Sequence, residues 1–320
     1  MIDFRYHLVS IVSVFLALAV GIVLGAGPLK GQLGDTINKE VTTLRADKAD
    51  LNTQLSAARQ ATAARDDYDA ATLKTVLVAR LAGQRVDLVL LPGADAGLAR
   101  TTRATLAEAG ATGGDTVNID SSWTSTDATD VAKRDALATT LAGTLALSAN
   151  QDDTVPLLDR VLAAALKPGT PDPQKSRTQA LRQLADAGLL TLDTAEPVEP
   201  DAVVVLGAPV SGDTQAAAQD DAKGLAQIAA ALDRSSLATV VASNEGVSTP
   251  PTGSVGVVAT VRASTSLSRG VSTVDDVGVP MGQATVALAI LEQATGASGQ
   301  YGLGSDASAV FPVIAGITGK

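Results

Sequence analysis

Leu8 to Ala26 is an unbroken apolar run of 19 residues in which only Ser10 and Ser13 are polar. As a helix it reaches about 28 Å, close to the hydrocarbon thickness of a bilayer. A polar head, Met1 to His7, precedes it, Gly27-Pro28 ends it, and no other stretch stays apolar for as long. The rest of the chain is therefore read as a body held beside a membrane by its N-terminus. Two readings of the run compete. A cleaved signal peptide needs a basic head, an apolar core of about 7–15 residues and a small-x-small cleavage site. Here the head offers Arg5 and the α-amine against Asp3, and the cleavage-like Gly25-Ala26-Gly27 lies at the very end of the run. Length favours a retained signal anchor over residues 1–29. Its orientation is barely biased by charge, since Arg5 precedes the span and Lys30 and Lys39 follow it.

Inside the span, Ala17, Gly21 and Gly25 recur every fourth residue. Small residues at that spacing leave a groove in which a second helix can approach closely, although Gly and Ala are also common in membrane helices for no special reason. Tyr6 and His7 suit the membrane edge as interfacial anchors. Beyond the span, Ile37, Val41, Leu44, Lys48, Leu51, Leu55 and Ala58 are spaced 4, 3, 4, 3, 4, 3. That is a heptad seam, with Lys48 as the kind of polar defect that sets register. Thr36 or Asp35 can cap its start. The pattern predicts a parallel two-stranded stalk within 30–82, about 40 Å long if helical from Thr36 to about Ala63. The alternative is one amphipathic helix packed on its own domain. A membrane span ahead of the seam would raise the local concentration of a second copy.

Residues 83–320 carry the grammar of an α/β domain. Short apolar strands are expected at Arg85–Leu91, Thr116–Ile119, Ala202–Gly207, Leu237–Ala242 and Val255–Val261, with an edge strand at Val271–Val274. Helices are expected at Asp66–Gly83, Gly97–Ala109, Asp127–Leu147, Thr154–Leu166, Arg177–Ala187, Thr214–Leu232 and Met281–Thr295, with a loop over Lys167–Ser176. Strands alternating with helices imply a mostly parallel, Rossmann- or flavodoxin-like sheet, here with a helical insertion near 127–187. The net charge of −10 argues against nucleic acid and against docking on anionic lipid.

The stretch Asp3-Phe4-Arg5-Tyr6-His7-Leu8-Val9-Ser10, followed by Val14-Phe15-Leu16-Ala17-Leu18-Ala19-Val20-Gly21-Ile22-Val23-Leu24-Gly25, resembles the N-terminal signature of the MctB copper-transport protein family, which also includes the SteB cell-division proteins. The coiled-coil segment, Leu91-Pro92-Gly93-Ala94-Asp95 and the closing Gly299-Gln300-Tyr301-Gly302 resemble the family as well. The resemblance implies an envelope protein of copper efflux and homeostasis, with a short cytoplasmic N-terminus and a large extracytoplasmic head. Its SteB-type members imply a SteA-like membrane partner and a role beside the cell-wall and division machinery. Copper enters as a ligand by resemblance alone.

The residues themselves offer copper little. Beyond the span there is no histidine and no cysteine, and Met281, read as a buried helix residue, is the one methionine. Cu(I) prefers thiolate or thioether and Cu(II) favours imidazole. The same poverty removes Ser/His and Cys/His catalysis, and an enzyme is the least favoured class. Nucleotide binding has weak support, since neither half carries G-x-G-x-x-G or a P-loop. A membrane β-barrel needs alternating strands of about ten residues and aromatic girdles, which one Trp, three Tyr and three Phe do not build. What remains is a candidate cleft at the carboxyl ends of the strands, with Asp95, Asn244 and Glu245. Asp95 doubles as a helix cap. The acidic pairs Asp152-Asp153, Asp220-Asp221 and Asp275-Asp276 read as solvated helix starts or turns.

Overall fold

Two helices open the chain, α1 (Phe4–Ala26) and α2 (Pro28–Leu77). The structure is a computed structural model, and it describes residues 4–26, 28–147, 154–167, 172–248 and 251–313. Asp152-Asp153 lies outside the described residues. The chain divides into two units, Met1–Arg65 and Asp66–Lys320, with the division inside α2. In the first unit, α1 is long and apolar enough to cross a membrane by length and composition, and the Ser13 hydroxyl donates to the Val9 carbonyl at 2.8 Å, so this polar group is satisfied within the helix.

The second unit continues with β1 (Val86–Leu90), α3 (Ala96–Glu108), β2 (Thr116–Ile119), α4 (Ala128–Thr144), α5 (Leu157–Leu166), α6 (Pro173–Asp186), β3 (Leu190–Leu192), β4 (Ala202–Leu206), α7 (Gln215–Arg234), β5 (Ala238–Ala242), α8 (Val257–Ala263), β6 (Ser272–Val274), α9 (Pro280–Gln293) and β7 (Gln300–Tyr301). The strands form one open sheet in the order β3-β2-β1-β4-β5-β6-β7. Every pairing is parallel except β2 with β3. The fold is α/β, as the alternation of strands and helices predicts.

All five residues of β1 and all five of β4 are buried, because helices cover both faces. Side chains alternate between two cores. Val89, Val203, Val205 and Val241 face a layer built by α4 to α8 with Trp123. Leu88, Leu90, Val204 and Val240 face Leu77, Leu81, α3 and α9. The last turn of α2 thus belongs to the core of the second unit, which is why the division falls upstream of residue 83.

Several details differ from the sequence reading. The strand expected at Val255–Val261 is helix α8, because Glu245 caps its first turn: the carboxylate accepts from the Val258 amide at 3.3 Å and the Ala259 amide at 3.2 Å. Four valines favour a strand locally, but a tertiary cap decides otherwise. β6 is not an edge strand, since it lies between β5 and β7. The true edges, β3 and β7, have three and two residues, too short to leave a periodic signature. The loop expected through Ser176 gives way to α6 at Pro173, where Asp172 accepts from the Lys175 amide and proline occupies the first turn.

Candidate functional site at the carboxyl edge of the sheet

The chain leaves β1 toward β2 on one side and resumes from β4 through β7 on the other, so the topological switch point lies between β1 and β4. Leu91-Pro92-Gly93 follows β1 and Gly207-Ala208-Pro209 follows β4, and a Cβ on Gly93 would lie 3.6 Å from that of Ala208, so the two turns sit against each other. Asp95 does not serve it: the carboxylate caps α3, accepting from the Leu98 amide at 2.8 Å, and the residue is exposed. Asn244 and Glu245 follow β5, and β4 separates that strand from β1, so the fold brings these two together but not with Asp95.

Asn244 and Glu245 are half-buried and engaged. The Asn244 Oδ1 accepts from the Gly278 amide at 3.0 Å, while Glu245 caps α8. Both contacts need glycine: a Cβ on Gly278 would overlap the Asn244 side chain, and one on Gly256 would overlap the Glu245 carboxylate. Burial raises the pKa of Glu245, against the lowering effect of the α8 amides.

The pair Asp275-Asp276 overturns its reading as a solvated turn, with exposures of 2% and 0%. Asp275 meets Arg262 Nη1 at 2.6 Å and accepts from the amides of Leu303 at 2.8 Å and Gly304 at 3.1 Å. Arg262 also reaches Asp306 at 2.7 Å, the Tyr301 carbonyl at 2.6 Å and Thr273 Oγ1 at 2.8 Å. The Tyr301 hydroxyl donates to Glu292 at 2.5 Å, and burial together with that carboxylate raises the tyrosine pKa. These bonds fasten the segment after α9 to the sheet, which gives Gly299-Gln300-Tyr301-Gly302 a structural task. Asp276 behaves differently. Both carboxylate oxygens are buried without a hydrogen-bond partner, and burial first, then Asp275, raises its pKa to about 6.

Two buried networks escaped the sequence reading. Asp87, in the middle of an apolar strand, accepts from Arg177 Nη2 at 2.8 Å with both side chains fully buried. Arg177 also reaches Asp115 at 3.3 Å and the Leu166 carbonyl at 2.7 Å. Burial, opposed chiefly by Arg177, raises the Asp87 pKa to about 6. The single acid within Val86-Asp87-Leu88-Val89-Leu90 was the available signal. Deep in the other network, Trp123 Nε1 donates to Asp159 at 2.7 Å, and burial raises that acid to about 7. Both networks hold the helical insertion in place.

Met281 is half-buried rather than buried. It lines an apolar groove of about 280 Å³ with Leu73, Val76, Leu288 and Phe311. Among the described residues, no three His, Cys, Asp or Glu side chains are grouped to hold a metal ion. In the first unit, Ile37, Val41, Leu44, Lys48, Leu51, Leu55 and Ala58 are exposed along α2, as are Ala17, Gly21 and Gly25 along α1. A methyl group added to Gly21 or Gly25 would meet no atom within 4 Å.

An apolar helix able to cross a membrane, a 50-residue helix carrying an apolar seam and an open α/β sheet define a class in which the folded domain follows a helical leader. The profile of the family described as "Copper transport outer membrane protein, MctB" matches residues 1–312. The chain belongs to the MctB family. It is 29% identical over 326 aligned positions to the copper transporter MctB of Mycobacterium tuberculosis (strain ATCC 25618 / H37Rv), covering 97% of this chain and 99% of that protein. The copper transporter MctB of Mycobacterium leprae is 27% identical over 328 positions with the same coverage. These relatives are named as transporters, not as enzymes.

Proposed function

We propose that this protein is a membrane-anchored envelope component of copper efflux and homeostasis, tethered by α1 and acting through protein contacts of its α/β head. The observation that carries the copper role is the near end-to-end match to proteins named copper transporters. The anchored arrangement has a short cytoplasmic head before α1 and the larger domain outside. The exposed seam on α2 and the small-residue groove on α1 support a parallel homodimer, since each offers a second copy a matching surface.

A second reading has its own support. The chain beyond residue 26 lacks histidine and cysteine and carries one methionine, a poor donor set for copper. On that reading the protein is a SteB-like scaffold that regulates cell-wall and division machinery beside a SteA-like membrane protein. Deleting the gene, then challenging the cells with copper and imaging septa, separates the two. Copper sensitivity with normal septa is the expected result; septal defects without copper sensitivity transfer the assignment to the scaffold.

A further inference from the structure

We propose that Asp159 is a proton switch for the helical insertion: neutral, it fastens α5 to the end of β2 through Trp123, and ionised, it loosens that attachment. Both side chains are interior, 3% and 4% exposed. The carboxyl accepts from the indole Nε1 at 2.7 Å, a donor that carries no charge. Among the described residues Asp159 forms no ion pair. Taking a carboxylate out of water without a paired cation costs far more than burying the acid form, so the surroundings favour the neutral group.

The position of the bond gives this choice a structural consequence. Trp123 lies in the single turn, Ser121–Thr124, that directly follows β2. Asp159 lies in the first turn of α5, and α5 packs against α4, α6 and α7. One hydrogen bond therefore joins the sheet to the central helix of the insertion.

The charges around α5 leave the acid uncompensated. Arg134 on α4 is the one that acts on it, but its guanidinium is committed to the carbonyls of Ser122 and Trp123 at 2.6 Å and of Ser125 at 2.7 Å. The other charged groups of the surrounding helices are engaged elsewhere. On α4, Lys133 acts on Asp127 and Asp130 accepts from Ser125. Arg177 of α6 reaches the Leu166 carbonyl at the far end of α5, and Arg234 of α7 donates to Thr154. Burial therefore prevails over Trp123 and Arg134 and raises the Asp159 pKa from 3.8 to about 7. Between those values the packed insertion holds a proton that the opened one releases to solvent. The stability this supplies is in place below about pH 4 and is lost as the pH rises through 7.

The test is hydrogen exchange of α5 in the full chain in detergent, corrected for the intrinsic rate at each pH. From pH 6 to 8.5 the protection of α5 should fall about tenfold in the wild type. Asp159→Asn keeps an acceptor for the indole and cannot ionise, so its protection should fall by no more than about twofold, the share of Asp87. At pH 8.5 the variant should be better protected than the wild type. A fall no larger in the wild type than in Asp159→Asn overturns the switch. So does a variant less protected than the wild type at pH 8.5, which would mark a carboxylate that the fold needs charged. If the variant does not fold, the Trp123 emission of the wild type decides. A one-proton transition centred near pH 7 supports the switch, and emission that is flat from pH 5.5 to 8.5 removes it.

Discussion

Replacing Arg177 with Met should be among the most damaging single changes in the α/β head, and its cost should depend on pH. The guanidinium holds Asp87 at 2.8 Å, Asp115 at 3.3 Å and the Leu166 carbonyl at 2.7 Å, all in an interior where Arg177 and Asp87 are fully buried. Removing one member of a buried pair typically costs about 3–5 kcal/mol, because the other charge stays behind. The orphaned Leu166 carbonyl adds to this. A loss near 4 kcal/mol is a large part of the roughly 5–15 kcal/mol that holds a domain together. Asp87 supplies the pH dependence. Its pKa rises from 3.8 to about 6 on folding, so between those values the folded state binds more protons than the unfolded. Its contribution to stability is in place below about pH 4 and is lost as the pH rises through 6, and the displacement corresponds to about 3 kcal/mol. Without the guanidinium the folded-state value climbs further. The penalty of Arg177→Met should therefore be smaller at pH 5, where the Asp87 carboxyl can be protonated and chiefly the orphaned Leu166 carbonyl and the lost Asp115 contact remain, and full at pH 7.5. Urea unfolding of the full chain in detergent, read by the single tryptophan, measures both. The double variant with Asp87→Asn should regain about half the loss at pH 7.5, since an amide keeps an acceptor for the Asp115 amide without the charge. Equal penalties at both pH values, or a double variant no better than the single, would refute the assignment of a charged Asp87 dependent on Arg177.

Two further outcomes check other elements. Leu44→Cys, in a chain with no cysteine of its own, should give a disulfide-linked dimer when membranes are oxidised; a product that stays monomeric on a non-reducing gel contradicts the paired stalk. Glu245→Ala removes the acceptor for the Val258 and Ala259 amides. It should cost about 1–2 kcal/mol and accelerate hydrogen exchange in α8 ahead of its neighbours, whereas unchanged exchange there would deny the carboxylate its capping role.

The features legible in the chain are those written in consecutive residues. β1, β4 and β5 are short continuous apolar runs because both faces are covered, and such runs announce themselves. The seam on α2 needs only a period of seven. The features that misled were settled by residues far away in sequence. Val255 to Val261 is rich in β-branched residues, yet a carboxylate ten positions upstream of the stretch makes it a helix. Asp87 looked like a blemish in a strand until Arg177, ninety positions on, arrived beside it. Asp275-Asp276 had the composition of a solvated turn, and its partner, Arg262, lies on a helix that pattern reading turned into a strand. The same logic bears on function. Gly299-Gln300-Tyr301-Gly302 stands out as a family signature, but here its Tyr301 carbonyl and hydroxyl are tied to Arg262 and Glu292. Substitutions in that signature should disturb the fold before they disturb any contact with a partner. Residues that act on something outside the chain are better sought where side chains remain uncommitted: the α2 seam and the apolar groove at Met281.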